Sequence, residues 1–158
     1  MSDKIFAIAS ENLDSNVVKL VKSSKTVPNL VEVHLTNEDK IREALKTQRF
    51  VYSYRKVKSF RRIGVLIVEI DNNYESSKYA KFTVEFAQNN GIRVFLVCES
   101  MSEPKRNCNN FSSFNLLPPI SLQGFWQKII ERTRESLQCF HILYSFSCHG
   151  VLSIHGTK

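Results

Sequence analysis

Two carboxylates at the end of a long apolar run are the residues whose type and spacing best suit chemistry. Glu69 and Asp71 stand two positions apart in the sequence VEID, and side chains at positions i and i+2 of a strand point to the same side of a sheet. Mg²⁺ in proteins prefers carboxylate oxygens together with substrate phosphates. The pair therefore favours, as one hypothesis, a magnesium-dependent nuclease, although the strand carries no lysine beside the two acids.

A basic segment precedes that strand. Residues 49–62 contain six basic residues and no acid, interleaved with Phe50, Tyr52, Tyr54 and Phe60. Bases stack on aromatic rings while cations bind phosphates, so the pattern is typical of a surface that binds single-stranded nucleic acid. The alternative is an edge strand that its charges protect from aggregation. The basic candidates for the nucleic-acid surface are Arg55, Lys56, Lys58, Arg61 and Arg62.

The elements that must position these residues alternate between strands and helices. The clearest strands are the apolar runs at 63–70 and 92–98, which are typical of a sheet covered on both faces. A helix at 77–90 that ends at Gly91 joins them. With the weaker elements before and after it, this unit predicts an α/β fold. The expected architecture is a flavodoxin-like or Rossmann-like open, mostly parallel sheet with helices on both faces.

The weaker elements complete this scheme. Short strands are predicted at 4–10 and 30–35, and an exposed or edge strand at 51–58. Ser10 or Asp14 is expected to cap the first helix, and Thr36 or Asn37 the second. A last amphipathic helix is predicted at 124–139. The chain is expected to form a single α/β domain over 1–138, with a hydrophobic tail of one or two strands at 139–158 packed on it or appended to it.

Polar residues follow several of the predicted strands. Open α/β sheets bind ligands outside the carboxyl ends of their strands. The chain has no glycine-rich phosphate-binding motif and 5 Gly in total. Each polar residue at this edge also suits a helix cap or a turn. The polar residues that follow the strands are Ser10, Glu11, Thr36, Asn37, Asp71, Asn72, Asn73, Tyr74 and Cys98.

The segment at 64–99 resembles the third strand, loop and helix of Toll/interleukin-1 receptor (TIR) domains and their bacterial relatives. Its apolar strand leads through a polar loop into SKYAKFTVEFA at 77–87, similar to the family pattern S-K-W-x-x-x-E-x-x-x-A, and Gly91 then precedes the next apolar strand. The resemblance implies a signalling or immunity-related role through protein–protein interaction. It also implies NAD as the compound on which an enzymatic member would act.

The resemblance places Thr83 where NAD-cleaving TIR domains carry their catalytic glutamate, four residues after the aromatic Tyr79. Threonine supplies no charge for a glycosidic cleavage that passes through a ribosyl cation. Glu85 lies about 120° round the helix from Tyr79 and is the one catalytic candidate. We therefore predict an interaction module with absent or degraded NAD-cleaving activity, the alternative being an NAD- or nucleotide-processing hydrolase that uses Glu85. The ligand-binding candidates are Ser10, Asp71, Asn72, Tyr74, Ser77, Tyr79 and Thr83.

The overall charge and hydropathy of the chain limit its partners. The net charge of +7 favours anions, such as a nucleotide or a nucleic acid. A protein partner or self-association through the α/β surface is the other expectation. The sequence has no apolar run of the length that spans a membrane, so a cytoplasmic protein is expected. Cys139, His141, Cys148, His149 and His155 lack the usual spacing of zinc ligands, and no metal site is predicted.

Overall fold

A computed structural model describes residues 5–24, 30–47, 49–52, 57–70, 78–99, 114–133 and 142–147, with the backbone alone described for 49–52 and 57–61. These residues form eight strands and four helices. The strands are β1 (Ile5–Ser10), β2 (Val31–His34), β3 (Arg49–Tyr52), β4 (Val57–Arg61), β5 (Ile63–Glu69), β6 (Arg93–Glu99), β7 (Asn115–Leu116) and β8 (Ile142–Phe146). The helices are α1 (Asn16–Lys22), α2 (Glu38–Lys46), α3 (Lys78–Asn89) and α4 (Leu122–Thr133).

Six strands form one parallel sheet in the order β2-β1-β5-β6-β8-β7. Ala7 of β1 pairs with Val31 of β2 on one side and with Leu66 of β5 on the other. With β7 left aside as a short edge strand, this is the 2-1-3-4-5 order of flavodoxin-like sheets. The predicted open, parallel α/β sheet is therefore confirmed.

The helices cover both faces of the sheet. Ile41 of α2 packs with Val84 of α3 on one face, whereas Val18 of α1 packs with Ile129 of α4 on the other. Right-handed connections explain this division. The chain moves in one direction along the sheet from β1 to β2 and from β7 to β8, and in the opposite direction from β2 to β5 and from β5 to β6.

The central strand β5 shows why the apolar runs are continuous. Val65, Leu66, Ile67 and Val68 are all fully buried, because successive side chains point to opposite faces and each face is covered by helices. Leu66 and Val68 belong to the core beneath α2 and α3, and Val65 and Ile67 to the core beneath α1 and α4.

The basic segment forms two strands, so the prediction of a single strand at 51–58 was wrong. β3 and β4 pair antiparallel, with Phe50 opposite Phe60, as a sheet separate from the main one. The segment from Arg49 to Arg62 contains neither glycine nor proline. Its sequence therefore gives none of the usual signals of a turn between two strands.

The helix caps differ in part from those expected. Ser15, and neither Ser10 nor Asp14, is the N-cap of α1, and its hydroxyl accepts a hydrogen bond from the backbone N–H of Val18. Asn37 caps α2, as one of the two predicted candidates, and accepts from Asp39 and Lys40. Ser, Asp and Asn share the capping preference, so their order in the loop does not identify the cap.

The end of α3 is the one expected from Gly91. Its φ of 73° lies in the left-handed region that glycine occupies without steric cost. The N–H of Gly91 donates to the carbonyl of Gln88, and the N–H of Ile92 to that of Ala87. These are the two bonds of a Schellman motif, which ends the helix and turns the chain into β6.

The carboxyl-terminal part of the chain completes the sheet. Ile142–Phe146 of the hydrophobic tail forms β8 between β6 and β7, with Leu143 opposite Leu96. Phe125 and Ile129 of α4 are buried, as the amphipathic pattern predicts, and Trp126 is buried beside them. No helix in the described part of the chain is both long and apolar enough to cross a membrane.

Candidate functional site

The strand order reverses between β1 and β5, and the carboxyl ends of these two strands form the first candidate site. β1 leads into α1 on one face of the sheet, whereas β5 leads toward α3 on the other. Diverging connections of this kind open a crevice at the carboxyl edge, where open α/β sheets bind ligands. Ser10 and Glu69 are the last residues of β1 and β5, so they lie at this point.

A carboxylate occupies the crevice and is bonded to two serine hydroxyls. Oε1 of the half-buried Glu69 accepts a hydrogen bond of 2.6 Å from Ser10 Oγ and one of 2.8 Å from Ser15 Oγ. Hydrogen bonds to a charged acceptor are short and about twice as strong as neutral ones. Glu69 thus attaches the start of α1 to the end of β5. We call Ser10, Ser15 and Glu69 the crevice triad.

The loop from β1 to α1 is held by its own polar groups as well. Ser10 Oγ accepts from the Asn12 N–H at 3.0 Å, while its single proton is donated to Glu69 Oε1. The Asn12 side chain accepts from the N–H of Asp14. On the other side, the His34 ring lies 3.0 Å from the carbonyl of Glu11. These bonds stabilise the loop, and several of its donors are already used within the protein.

The candidates on α3 lie in three different environments. Thr83 is fully buried, and its hydroxyl donates a 2.6 Å hydrogen bond to the carbonyl of Tyr79 one turn earlier. Tyr79 is half-buried, and Glu85 is exposed. Thr83 and Glu85 are about 160° apart round the helix, so one faces the sheet and the other faces solvent.

The remaining sequence candidates either lie outside the described residues or belong to the basic strands. Asp71, Asn72, Tyr74 and Ser77 lie outside the described residues, as do Arg55 and Lys56. Lys58 and Arg61 belong to β4, and Arg62 is exposed between β4 and β5. Within the described ranges, no group of three or more His, Cys, Asp or Glu side chains could hold a metal ion.

A second candidate site is the surface where α2 and α3 meet. Phe82 and Phe86 of α3 are stacked, with ring centroids 5.7 Å apart, and both are half-buried. The guanidinium of Arg42 lies 4.9 Å from the centroid of Phe82, and the ammonium of Lys46 lies 5.5 Å from that of Phe86. We call these four residues the α2–α3 surface. Both cations are within the range of cation–π attraction.

Glu38 organises one end of the α2–α3 surface. Its carboxylate lies 3.5 Å from Lys78 at the start of α3 and 3.9 Å from Arg42 one turn along α2. Asp39 is a second partner for Arg42, at 3.1 Å. Exposed ion pairs contribute little stability individually, but here they orient Arg42 over the ring of Phe82.

Sequence reasoning missed most of this geometry. Ser15 was not a candidate, because its partner Glu69 is 54 residues away. The α2–α3 surface carries a local signal, since Arg42 and Lys46 are four residues apart and so are Phe82 and Phe86. Residues at i and i+4 lie on one side of a helix, so two such pairs indicate a basic stripe and an aromatic stripe.

In comparisons with known proteins, no family model matches the chain, and neither a curated protein nor a solved structure matches it significantly. The class that the topology defines is an open, doubly wound α/β domain of flavodoxin-like type. The resemblance to TIR domains remains a prediction.

Proposed function

We propose that this α/β domain is a signalling-type interaction module, similar in role to TIR domains that do not cleave NAD, and that its α2–α3 surface binds an acidic protein partner. The observation that carries the proposal is the pairing of two stacked aromatic rings with two exposed cations on neighbouring helices. Aromatic residues and arginine are enriched at the centres of protein interfaces.

Charge supports an acidic partner over self-association. The chain carries a net charge of +7, so two copies repel each other, whereas an acidic surface is attracted and its encounter rate is raised. The side chains of Arg42 and Lys46 already lie over Phe82 and Phe86. Less conformational freedom is therefore lost when they bind a carboxylate.

The hydrogen bonds at the crevice and on α3 favour an interaction module over a nucleotide hydrolase. The hydroxyls of Ser10 and Ser15 donate to Glu69. Thr83 donates within its own helix, and Glu85 faces solvent. A general acid or nucleophile has to approach the ribose of NAD closely, and the one carboxylate of α3, Glu85, lies about 120° round the helix from Tyr79.

The test uses a photo-crosslinking amino acid at Asn89, an exposed position one turn beyond Phe86. In an extract of the source organism, irradiation is expected to give a discrete adduct with an acidic protein. The adduct should weaken at high salt and disappear when Arg42 and Lys46 are both replaced by Gln. The matched control places the same amino acid at Lys19, which is exposed on α1 at the opposite face of the sheet. Equal adducts from the two positions, or adducts that survive the double replacement, would contradict the proposal.

A second assay separates the module from the enzyme. Purified protein is incubated with NAD, and nicotinamide release is followed for wild type and for Glu85→Ala. We expect release at the rate of the protein-free blank in both. Release by wild type that Glu85→Ala abolishes would instead identify an NAD hydrolase.

A further inference from the structure

A small cavity lies at the edge of the sheet opposite to the crevice. Its volume is about 190 Å³, and it opens where α2 and α3 end and where β5 and β6 begin. None of the crevice triad contributes to it. The described residues that line it are Leu45, Lys46, Arg62, Ile63, Asn90, Gly91 and Ile92.

The cavity combines an apolar floor with a basic rim. Leu45, Ile63 and Ile92 are at most 4% exposed and belong to the core between the sheet and the two helices. Lys46 and Arg62 are exposed cations on the rim, and no carboxylate is among the described lining residues. A ligand that fills this cavity needs an apolar part for the floor and a negative charge for the rim.

The helix ends beside the cavity do not cancel the preference of its rim for a negative charge. The C-terminus of a helix carries partial negative charge, but the last carbonyls of α3 accept the Schellman bonds of Gly91 and Ile92. The carbonyl of Glu43 in α2 accepts from the N–H and the hydroxyl of Thr47. The full positive charges of Lys46 and Arg62 therefore exceed the partial negative charges of the two helix ends.

The cavity is large enough for about one side chain of a ligand. Sites for drug-sized molecules and cofactors occupy about 300–1,000 Å³, so a volume near 190 Å³ is too small for a dinucleotide. We propose that this cavity binds a carboxylate carried on a short aliphatic stem, with Lys46 and Arg62 pairing with the charge and Leu45, Ile63 and Ile92 contacting the stem. The chemistry fits a glutamate side chain or the carboxyl-terminal residue of a peptide.

This inference rests on the proposed function and deepens it, because Lys46 belongs both to the cavity and to the α2–α3 surface. An acidic partner that covers the surface can therefore place one carboxylate in the cavity.

The cavity is tested on the isolated protein, without the partner, by titration with isocaproate followed in amide NMR spectra. We expect saturable shifts at Asn90, Gly91 and Ile92, and none with isocaproamide, which has the same shape and no charge. Two peptides then distinguish the sources: one with an internal glutamate and amidated ends, and one without glutamate that ends in leucine with a free carboxylate.

Three variants show whether isocaproate binds in the cavity or on the α2–α3 surface beside it. Arg62→Gln is expected to weaken isocaproate binding at least tenfold. Arg42→Gln, which removes a cation of the α2–α3 surface outside the cavity, should leave it unchanged, as should Lys19→Gln. Absence of saturable shifts with isocaproate, or equal shifts with isocaproamide, would overturn the inference. In that case the Asn89 adduct, if still lost when Arg42 and Lys46 are replaced, would leave the proposed function standing.

Discussion

Removal of the Glu69 carboxylate is expected to detach the β1–α1 loop from the end of β5. Glu69 Oε1 accepts two hydrogen bonds, from Ser10 and Ser15, and a bond to a charged group contributes about 1.5–3 kcal/mol. Glu69 is only half-buried, so water can replace part of this interaction. We therefore expect Glu69→Ala to lower the free energy of unfolding by about 2–3 kcal/mol, below the ~3–6 kcal/mol of two fully buried bonds.

The matched control is Glu32→Ala. Glu32 is also a strand glutamate with a partner, but its ion pair with Lys22 is exposed, and such pairs contribute about 0–1 kcal/mol. Urea unfolding followed by circular dichroism measures both variants, with an unchanged m-value as evidence that the folded state is intact. A double-mutant cycle of Ser10→Ala with Glu69→Ala should give a coupling energy of about 1 kcal/mol or more. A loss for Glu69→Ala no larger than that for Glu32→Ala would refute the assignment of the crevice triad.

Three further changes test the fold around the two sites. Gly91→Ala should lower the free energy of unfolding by about 1–2 kcal/mol, because the φ of 73° at Gly91 is left-handed. Gly64→Ala adds a Cβ that has no atom within 4 Å and should change the free energy of unfolding by less than about 0.5 kcal/mol. Thermal unfolding compares the two variants. Phe125→Ala should cost about 3–5 kcal/mol in urea unfolding, since Phe125 is fully buried and makes edge-on contacts with three aromatic rings. Asn37→Ala should cost about 1 kcal/mol through loss of the α2 cap, and an equal loss for Thr36→Ala would contradict the assignment of the cap to Asn37.

The sheet could be predicted because the sequence of each central strand shows directly that the strand is buried. A strand covered on both faces has apolar residues at successive positions, and the runs around Leu66 and Leu96 show this pattern without any knowledge of their neighbours. Gly91 marked the end of α3 for an equally local reason, since one backbone position requires a positive φ. Features set by one residue and its immediate surroundings were thus the ones that the sequence predicted well.

The crevice triad depends on contacts between distant residues. Glu69 is 59 residues from Ser10 and 54 from Ser15 in the chain. The local pattern suggested that Glu69 would join Asp71 as a magnesium ligand, because two acids at i and i+2 share one side of a strand. No local rule could show that a loop following another strand would place two hydroxyls on that carboxylate.

The helix that carries the TIR resemblance separates position 83 from the surface that we propose binds a partner. Thr83 is fully buried, and a glutamate in its place would bring a carboxylate into a site where, among the described residues, the hydroxyl is bonded to the Tyr79 carbonyl alone. An unpaired buried charge costs several kcal/mol, so packing against the sheet selects a small polar residue there. Phe82 and Phe86 lie about 100° and 60° round the helix from Thr83, at the edge that meets α2. Phe82 and Phe86 remain partly exposed, whereas position 83 is buried, and this difference in exposure is what the proposed binding at the α2–α3 surface requires.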